Sequence, residues 1–495
     1  MSTQIRLEEA FCEEPALARP LCVDLDGTLI TSDTLYESVL LLFRQRPWLL
    51  VIAPLWLFGG KSGFKRRIAE NATIDPKTLP YRAELLGALR STRERGRKIV
   101  LATAADREVA EAVAGHLDLF DAIHASDGVK NLKAANKRDL LRATYGGGFD
   151  YVGDSAADRT VMEAATRGYL VGASASAVHA VRELGKVQVV SRRPSSARAL
   201  IKEIRPHQWS KNALVLLPLL LAPAHADAGA VVRGILATVT FCLCASAGYV
   251  FNDLIDIDAD RAHATKHNRP FASGALPVIV GPPLFFGLLL GSFALSALLL
   301  PLSFSIMLAL YFAGTLSYSL YWKRLMLLDV LVLAGLYTHR ILAGGVATGV
   351  PVSAWLLGFS MFFFTSLAFA KRYVELKAMK DDAMVMNRGY FRADREMVTS
   401  MGTSSGYIAA LVFVLYVDSA AVRATYVEPR LLWLVLPVLL YWLGRIWLLA
   451  GRGQMQEDPV KFALKDKKSL LSGAIIFAIV AAARFSPAWL SALMH

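Results

Sequence analysis

Two sets of aspartates stand out by type and spacing. The first begins with Asp24 and Asp26 in VDLDGTLI, where an apolar run ends and a glycine turn begins, a place at which a carboxylate can meet a phosphate. Downstream come LATAAD with Thr103, NLKAANKRDLL with Lys137 near a helix start, and YVGDSAAD with Asp154 and Asp158. The second set lies in FNDLIDIDADRAHATKHNRPFASG, residues 251–274. There Asp253, Asp256 and Asp260 recur at spacings of three and four, so on a helix their carboxylates share a face, while Asp258 points elsewhere. Carboxylates so crowded repel one another unless a divalent cation sits among them. Mg²⁺ with a diphosphate suits the set, because a hard ion takes oxygen ligands and an anionic substrate completes its shell. Lys266 and Arg269 would take the remaining phosphate charge. The plainer alternatives are a bare DxDGT turn and a solvated polar helix end.

These two sets need different scaffolds, and the composition supplies both. The chain has 495 residues, 54 Lys plus Arg against 41 Asp plus Glu, a net charge of +13, 55% hydrophobic and 19% charged residues. Its mean hydropathy of +0.41 lies well above that of an ordinary soluble domain. Disorder, collagen and coiled coil are excluded. Four cysteines, Cys12, Cys22, Cys242 and Cys244, have no metal-ligand spacing and are too sparse for a disulfide framework, so a reducing context is expected. The first twenty residues hold four Glu and no apolar run, which predicts no secretory signal and an amino terminus that stays inside the cell.

Up to about Arg198, strand-like runs (21–25, 98–102, 150–152) alternate with helical stretches, the pattern of a parallel α/β sheet. Within this half, WLLVIAPLWLFG at 48–59, followed by Lys61, Lys65, Arg66 and Arg67, is too short to span a bilayer. It reads either as a buried helix of a cap domain or as a segment dipping into the membrane interface beside anionic headgroups. From Trp209 onward long apolar stretches dominate. They predict about nine membrane spans near 210–225, 231–251, 277–299, 302–320, 325–348, 353–372, 402–420, 431–450 and 470–490. Expected domains are 1–195, a basic linker and membrane-surface segment over 196–209, and a membrane domain over 210–495.

Basic residues of short loops remain cytoplasmic, which sets the expected orientation. Arg261, Lys266 and Arg269 follow the second span and Lys323 and Arg324 the fourth. Lys371, Arg372, Lys377, Lys380, Arg388, Arg392 and Arg395 follow the sixth, and Arg452, Lys461, Lys465, Lys467 and Lys468 the eighth. Only Arg233, Arg423 and Arg430 fall on the other side. The expectation is a multi-pass protein of the inner, cytoplasmic membrane with its soluble domain in the cytoplasm and its carboxyl terminus outside. No nucleic-acid partner is expected.

The four amino-terminal pieces, in this order over most of residues 20–185, resemble the haloacid dehalogenase (HAD) superfamily of phosphotransferases. The resemblance implies a Rossmann-like domain with Asp24 as nucleophile, Asp26 as general acid and base, Thr103 and Lys137 as phosphate ligands, and a Mg²⁺ site drawn from Asp24, Asp26, Asp154 and Asp158. The chemistry agrees. An anionic nucleophile attacks an anionic ester only if a metal and a cation screen the repulsion, and the leaving alkoxide needs the proton that a second carboxylic acid delivers.

The membrane half resembles the UbiA superfamily of intramembrane prenyltransferases, through NDxxDxxxD followed by Arg and RPxxxG. This implies an all-α fold of about nine helices round a cavity, with Asn252, Asp253, Asp256 and Asp260 around Mg²⁺. The second acidic motif of that family is thin here. YSLYWKRLMLLDVLVLAGLYTHRILAGG offers Asp329 with Lys323 and Arg340, and the cations suggest more phosphate to neutralise. RPHQWSKNALVLLPL, KRYVEL and EDPVKFALKDKKS look like the branch comprising the decaprenyl phosphate phosphoribosyltransferases. By that likeness the donor is phosphoribosyl pyrophosphate, the acceptor a polyprenyl phosphate, and Lys323, Arg340, Lys371 and Arg372 bind the sugar and lipid phosphates. Tyr318, Tyr373 and Glu375 are further candidates. The attached phosphatase would then remove the 5-phosphate. The alternatives are an aromatic prenyltransferase using a polyprenyl diphosphate, with a phosphatase of separate specificity, and a membrane-anchored phosphatase. A homo-oligomer is compatible with all three.

Overall fold

Short runs of branched and aromatic residues form six strands: β1 Leu21–Val23, β2 Ile99–Asp106, β3 Ala122–Ser126, β4 Asp150–Gly153, β5 Arg167–Leu170 and β6 Val187–Val189. They make one parallel sheet in the order β3-β2-β1-β4-β5-β6, with Leu21 opposite both Ile99 and Asp150. Alternate residues of β1 enter different cores, as the pleat requires. Leu21 and Val23 pack with Ile99 and Leu101 on one face, and Cys22 packs with Val100 and Tyr151 on the other. The order reverses at β1, so the crevice beyond the carboxyl ends of β1, β2 and β4 is where such a sheet binds ligands. The three expected strands are present, each within a few residues of its predicted bounds. The structure is a computed structural model that describes residues 3–12, 16–193, 196–222, 227–263, 265–379, 389–455 and 458–485.

By compactness the chain divides into two units, Met1–Ile204 with Tyr249–Phe285, and Arg205–Gly248 with Phe286–His495. The expected domain limits put 249–285 with the membrane half, yet this stretch, which carries the second acidic set, falls in the compact unit of the sheet and meets the helical insertion between β1 and β2 there. Its limit at Ser195 lies outside the described residues, and Ser196–Ile204 is a helix.

Between β1 and β2 the first unit carries a helical insertion, with Thr34–Gln45, Leu49–Ile52 and Gly60–Asn71 as its α-helices. The apolar run at 48–59 is buried in part and exposed in part. Ala53 and Trp56 are buried against Leu42 and Ile68, whereas Trp48, Val51 and Phe58 are 65%, 81% and 90% exposed. At the far end of the sheet, Arg97 and Asp150 are fully buried and paired at 2.5 Å. Arg97 also donates to the carbonyls of Arg19 and Phe11, and Arg19 meets the other oxygen of Asp150.

The membrane half is helical. Among the described residues eight helices are long and apolar enough to cross a membrane, from Ala228–Ile255 to Lys467–Phe485. The expected first span, 210–225, is instead a 3₁₀ helix, Pro206–Leu216, and one short α-helical turn, Leu217–Leu221. Pro218, inside that span, lacks the N–H that a continuous helical ladder needs. In the second unit the helices approach closely at small residues. A Cβ on Gly344 would lie 1.9 Å from the Val215 carbonyl oxygen, and one on Gly402 would lie 2.3 Å from the Trp447 ring.

Candidate active sites

The first site is built on the ends of β1 and β4. Asp24 follows β1 directly, its N–H donating to the Val152 carbonyl. Its Oδ1 accepts from the Leu25 N–H at 3.0 Å and from Lys137 Nζ at 2.9 Å. The turn that follows reverses at Gly27, whose φ is +74° and whose absent Cβ would lie 2.3 Å from Asp154 Oδ2. Only glycine leaves room for Asp154 to face Asp24. Asp26 Oδ1 accepts from the Thr34 N–H at 2.7 Å, at the start of the insertion. Thr103 is buried in β2, with its Oγ1 accepting from Ala105 N–H.

Asp24, Asp154 and Asp158 each present a ligand atom within 4.8 Å of the others. Burial pushes the Asp24 carboxyl up to about 6 against the pull of Lys137. Burial, with Asp33 beside it, pushes Asp26 up to about 8. Burial together with Asp158 and Asp24 pushes Asp154 up to about 7. Burial lowers Lys137, but Asp24, Asp158 and Asp26 outweigh it and hold the ammonium above its usual range. Acids crowded this way have the donor set for a hard cation, and the oxygens of Asp24 and Asp154 fit Mg²⁺. Asp158 is more heavily engaged. Its Oδ1 accepts from Tyr151 OH, and its Oδ2 from Ser155 Oγ and the N–H groups of Ser155 and Asp154.

Tyr151 also accepts from Lys137, so one hydroxyl links the cation to the supporting acid. Tyr151 and Ser155 stand inside the YVGDSAAD run but have no chemistry of their own that spacing reveals. Arg82 is a similar case. It holds the catalytic turn by donating to the Gly27 and Thr28 carbonyls from 55 and 54 residues away.

The second acidic set is arranged differently. The helix Ala228–Ile255 ends before Asp256, whose φ and ψ are −94° and 14°, and a new helix runs Ile257–Ala262. The expected single helical face is therefore broken at Asp256. Asp253 and Asp260 are buried, and Arg269 Nη1 bridges them at 2.9 and 2.5 Å. Burial raises Asp260 and Arg269 opposes it. Asp258 does point elsewhere, toward Arg44. Asn252 Oδ1 is buried without a hydrogen-bond partner among the described residues. An orphaned amide oxygen beside two buried carboxylates fits a hard cation there too. Lys266 lies exposed in a 3₁₀ turn.

In the second unit, Arg340 is buried and bonded to neutral oxygens: Asn212 Oδ1 at 3.0 Å, Tyr311 OH at 2.8 Å and the Leu336 carbonyl. Its guanidinium stacks over Tyr311 and Tyr337. Arg372 is buried against Asp329 at 2.6 Å and also meets Glu375 and Tyr318, while Tyr390 donates to Asp329. Lys371 and Lys211 both reach Asp458 Oδ2, at 3.4 and 3.3 Å. Burial would raise that carboxyl, but the two ammonium groups hold it well below the usual range. Lys211 lies in the quoted RPHQWSKN run and was not singled out there. Lys323 sits half-buried in the turn Trp322–Arg324. Lys380, Arg388 and Glu457 lie outside the described residues.

Residues 213–471, just over half of the chain, match the UbiA prenyltransferase family. The chain belongs to this family. An uncharacterized protein, y4nM, of Sinorhizobium fredii is 39% identical over 467 residues, covering 92% of this chain and 89% of that one. This UbiA-family chain is also 39% identical over 184 residues to a decaprenyl-phosphate phosphoribosyltransferase of Mycolicibacterium smegmatis, covering 36% of this chain and 57% of that one. A HAD family hydrolase from Salmonella enterica aligns with 32% of this chain and 64% of its own at 17% identity and a TM-score of 0.26. The amino-terminal assignment rests instead on the parallel sheet and on the order and geometry of Asp24, Thr103, Lys137 and Asp154. The UbiA-family chain thus joins a multi-pass membrane part of a prenyltransferase family to a parallel-sheet part that carries clustered aspartates at its strand ends.

Proposed function

We propose that the membrane half transfers 5-phosphoribose from phosphoribosyl pyrophosphate to a polyprenyl phosphate, and that the amino-terminal part then removes the 5-phosphate. A lipid phosphate oxygen attacks the anomeric carbon, the bond from that carbon to pyrophosphate breaks, and pyrophosphate leaves. Asn252, Asp253, Asp256 and Asp260 would hold Mg²⁺, which when bound draws off charge from the departing pyrophosphate. Lys211 and Lys371, whose ammonium groups share one carboxylate, have the charge and mobility to take a phosphate in its place. Arg340 and Arg372, already bonded within the protein, would orient neighbouring groups. Lys266, Arg269 and Lys323 supply further positive charge.

In the second step Asp24 attacks the phosphorus and the ribose 5-oxygen leaves, taking its proton from Asp26. Water then cleaves the aspartyl phosphate, with Asp26 accepting the proton. Its burial beside Asp33 keeps Asp26 protonated near neutrality, ready for the first of these transfers. Lys137 and Thr103 would bind the phosphoryl oxygens. The exposed Trp48, Val51 and Phe58, followed by Lys61, suit an insertion that dips into the bilayer interface, where a lipid-borne phosphate is presented.

The observation that carries this reading is the covalent union of a region 39% identical to a decaprenyl-phosphate phosphoribosyltransferase with an assembled Asp24, Lys137 and Asp154 site. The test is to give the purified protein phosphoribosyl pyrophosphate, polyprenyl phosphate and Mg²⁺ and to follow the lipid products by mass spectrometry. The expected product is polyprenyl phosphoryl ribose, with the 5-phosphorylated lipid accumulating in Asp24→Asn. Consumption of an allylic diphosphate instead, or an Asp24→Asn variant that still yields the dephosphorylated lipid, overturns it.

A further inference from the structure

The stretch after the second acidic set belongs to the same compact unit as the sheet, and besides Asp258 on Arg44 and Asn268 on Lys202 it meets the two connections between sheet and insertion. Arg261 is the centre of these last contacts. Its guanidinium meets both oxygens of Glu37, at 2.6 and 3.2 Å, and reaches the Thr78 carbonyl at 3.3 Å. Glu37 lies on the first turn of Thr34–Gln45, where the chain enters the insertion, and Thr78 lies where the chain leaves it. Both partners are almost fully buried, with side chains 9% and 6% exposed. A bidentate pair so shielded fixes distance and angle together. The Thr31 hydroxyl repeats the pattern on a smaller scale, lying 3.2 Å from the Pro80 carbonyl on the exit connection and 3.1 Å from the Ser273 carbonyl. Gly274 has φ +70°, and a Cβ there would lie 1.9 Å from Thr31 Oγ1, so the backbones can approach only at glycine.

The helix that Arg261 grips is the one whose first N–H, that of Thr34, donates to Asp26 Oδ1 at 2.7 Å. We infer that Arg261, contributed by the segment that follows the transferase's acidic motif, is a positioning residue for the phosphatase: through Glu37 it holds the helix that orients the proton-donating carboxyl of Asp26. The inference rests on the phosphatase reading above. It places part of the phosphatase's own framework in the other half of the sequence, so this domain of the fusion is not self-sufficient when cut at residue 195.

Two measurements on the full-length protein in nanodiscs test this. The first is hydrogen exchange, which reads the clamp whether or not any substrate is turned over. In Arg261→Gln, amides at 29–37 and 76–82 should exchange about 10-fold faster or more, as loss of a charged hydrogen-bonded pair implies. Exchange in the sheet should not change. The Arg261→Gln, Glu37→Gln double variant should be no looser than either single one. The second is leaving-group dependence. Ribose 5-phosphate needs a proton from Asp26 on its leaving oxygen, whereas p-nitrophenyl phosphate does not. Arg261→Gln should slow kcat for ribose 5-phosphate about 10-fold while changing that for p-nitrophenyl phosphate by less than about threefold, and Arg261→Lys should recover part of the difference. Equal loss on both substrates, or unchanged exchange at 29–37 and 76–82, overturns the inference. A wild-type protein that turns over p-nitrophenyl phosphate but no sugar phosphate overturns the proposed substrate and leaves the clamp to be judged by exchange.

Discussion

The two acidic sites use the same residue types and meet opposite ends. At the sheet, Asp24, Asp154 and Asp158 converge within 4.8 Å from β1 and β4, and their mutual repulsion is only partly relieved by Lys137 on Asp24 and by Arg193, 3.5 Å from Asp154. Around the break at Asp256, Arg269 lies between Asp253 and Asp260 and offsets one of their two charges from within the chain. Both sets therefore keep negative charge that the chain leaves uncompensated, but at the sheet the chain's cations flank acids that face one another, whereas in the second set a cation stands between the acids. The difference shows that counting aspartates does not tell whether the chain's own cations flank the acids of a site or stand between them.

The comparison can be broken first at its strongest point. Asp24→Asn removes the nucleophile and should lower phosphate-ester hydrolysis by roughly 10³-fold or more while leaving pyrophosphate release by the membrane half unchanged. An equal loss of both activities would mean that the two sites are not separate. Next, Arg97→Ala strands the buried Asp150 and should cost about 3–5 kcal/mol of stability in the first unit, seen as a lowered denaturant midpoint. That effect lies far from either set of acids, so it calibrates how much loss of activity is simply loss of fold.

Gly27→Ala forces a methyl group against Asp154 at a positive φ and should reduce phosphatase turnover roughly 10²-fold with the fold intact by circular dichroism. Arg269→Gln sharpens the comparison. It should destabilise the protein by about 1–3 kcal/mol without Mg²⁺ and make the thermal midpoint rise more steeply with added Mg²⁺ than in the wild type. An unchanged Mg²⁺ response would show that Arg269 is not standing in for a cation. The smallest effect concerns the exposed insertion. Phe58→Asp should slow hydrolysis of a bilayer-embedded phosphate about threefold and leave p-nitrophenyl phosphate untouched.

Much of the sheet site was legible because Asp24 and Asp154 follow strands directly, where a short apolar run followed by Asp or Gly is a local signal, and Thr103 and Lys137 come in order within short runs. Asp24, Thr103, Lys137 and Asp154 needed no knowledge of distant contacts. Arg82 and Tyr151 do, since their partners lie on other elements and their own neighbourhoods carry no pattern. The second set was read as one helical face because its spacing is three and four. The chain breaks at Asp256 instead, and the buried Arg269 bridge outweighs a regular helix there. The first expected span failed for a local reason that hydropathy does not weigh, the proline at 218.

What the sequence determined alone is the division of labour: most apolar runs of bilayer length become helices, because within a single segment only a helix satisfies its own backbone in lipid, and carboxylates that follow strands of a parallel sheet gather at its carboxyl end. Only the tertiary structure decided which charges pair and which stay open. Pairing depends on side chains brought together from positions 16 to 247 residues apart, as with Arg269 and Asp253 or Lys211 and Asp458, and no local periodicity encodes such distances.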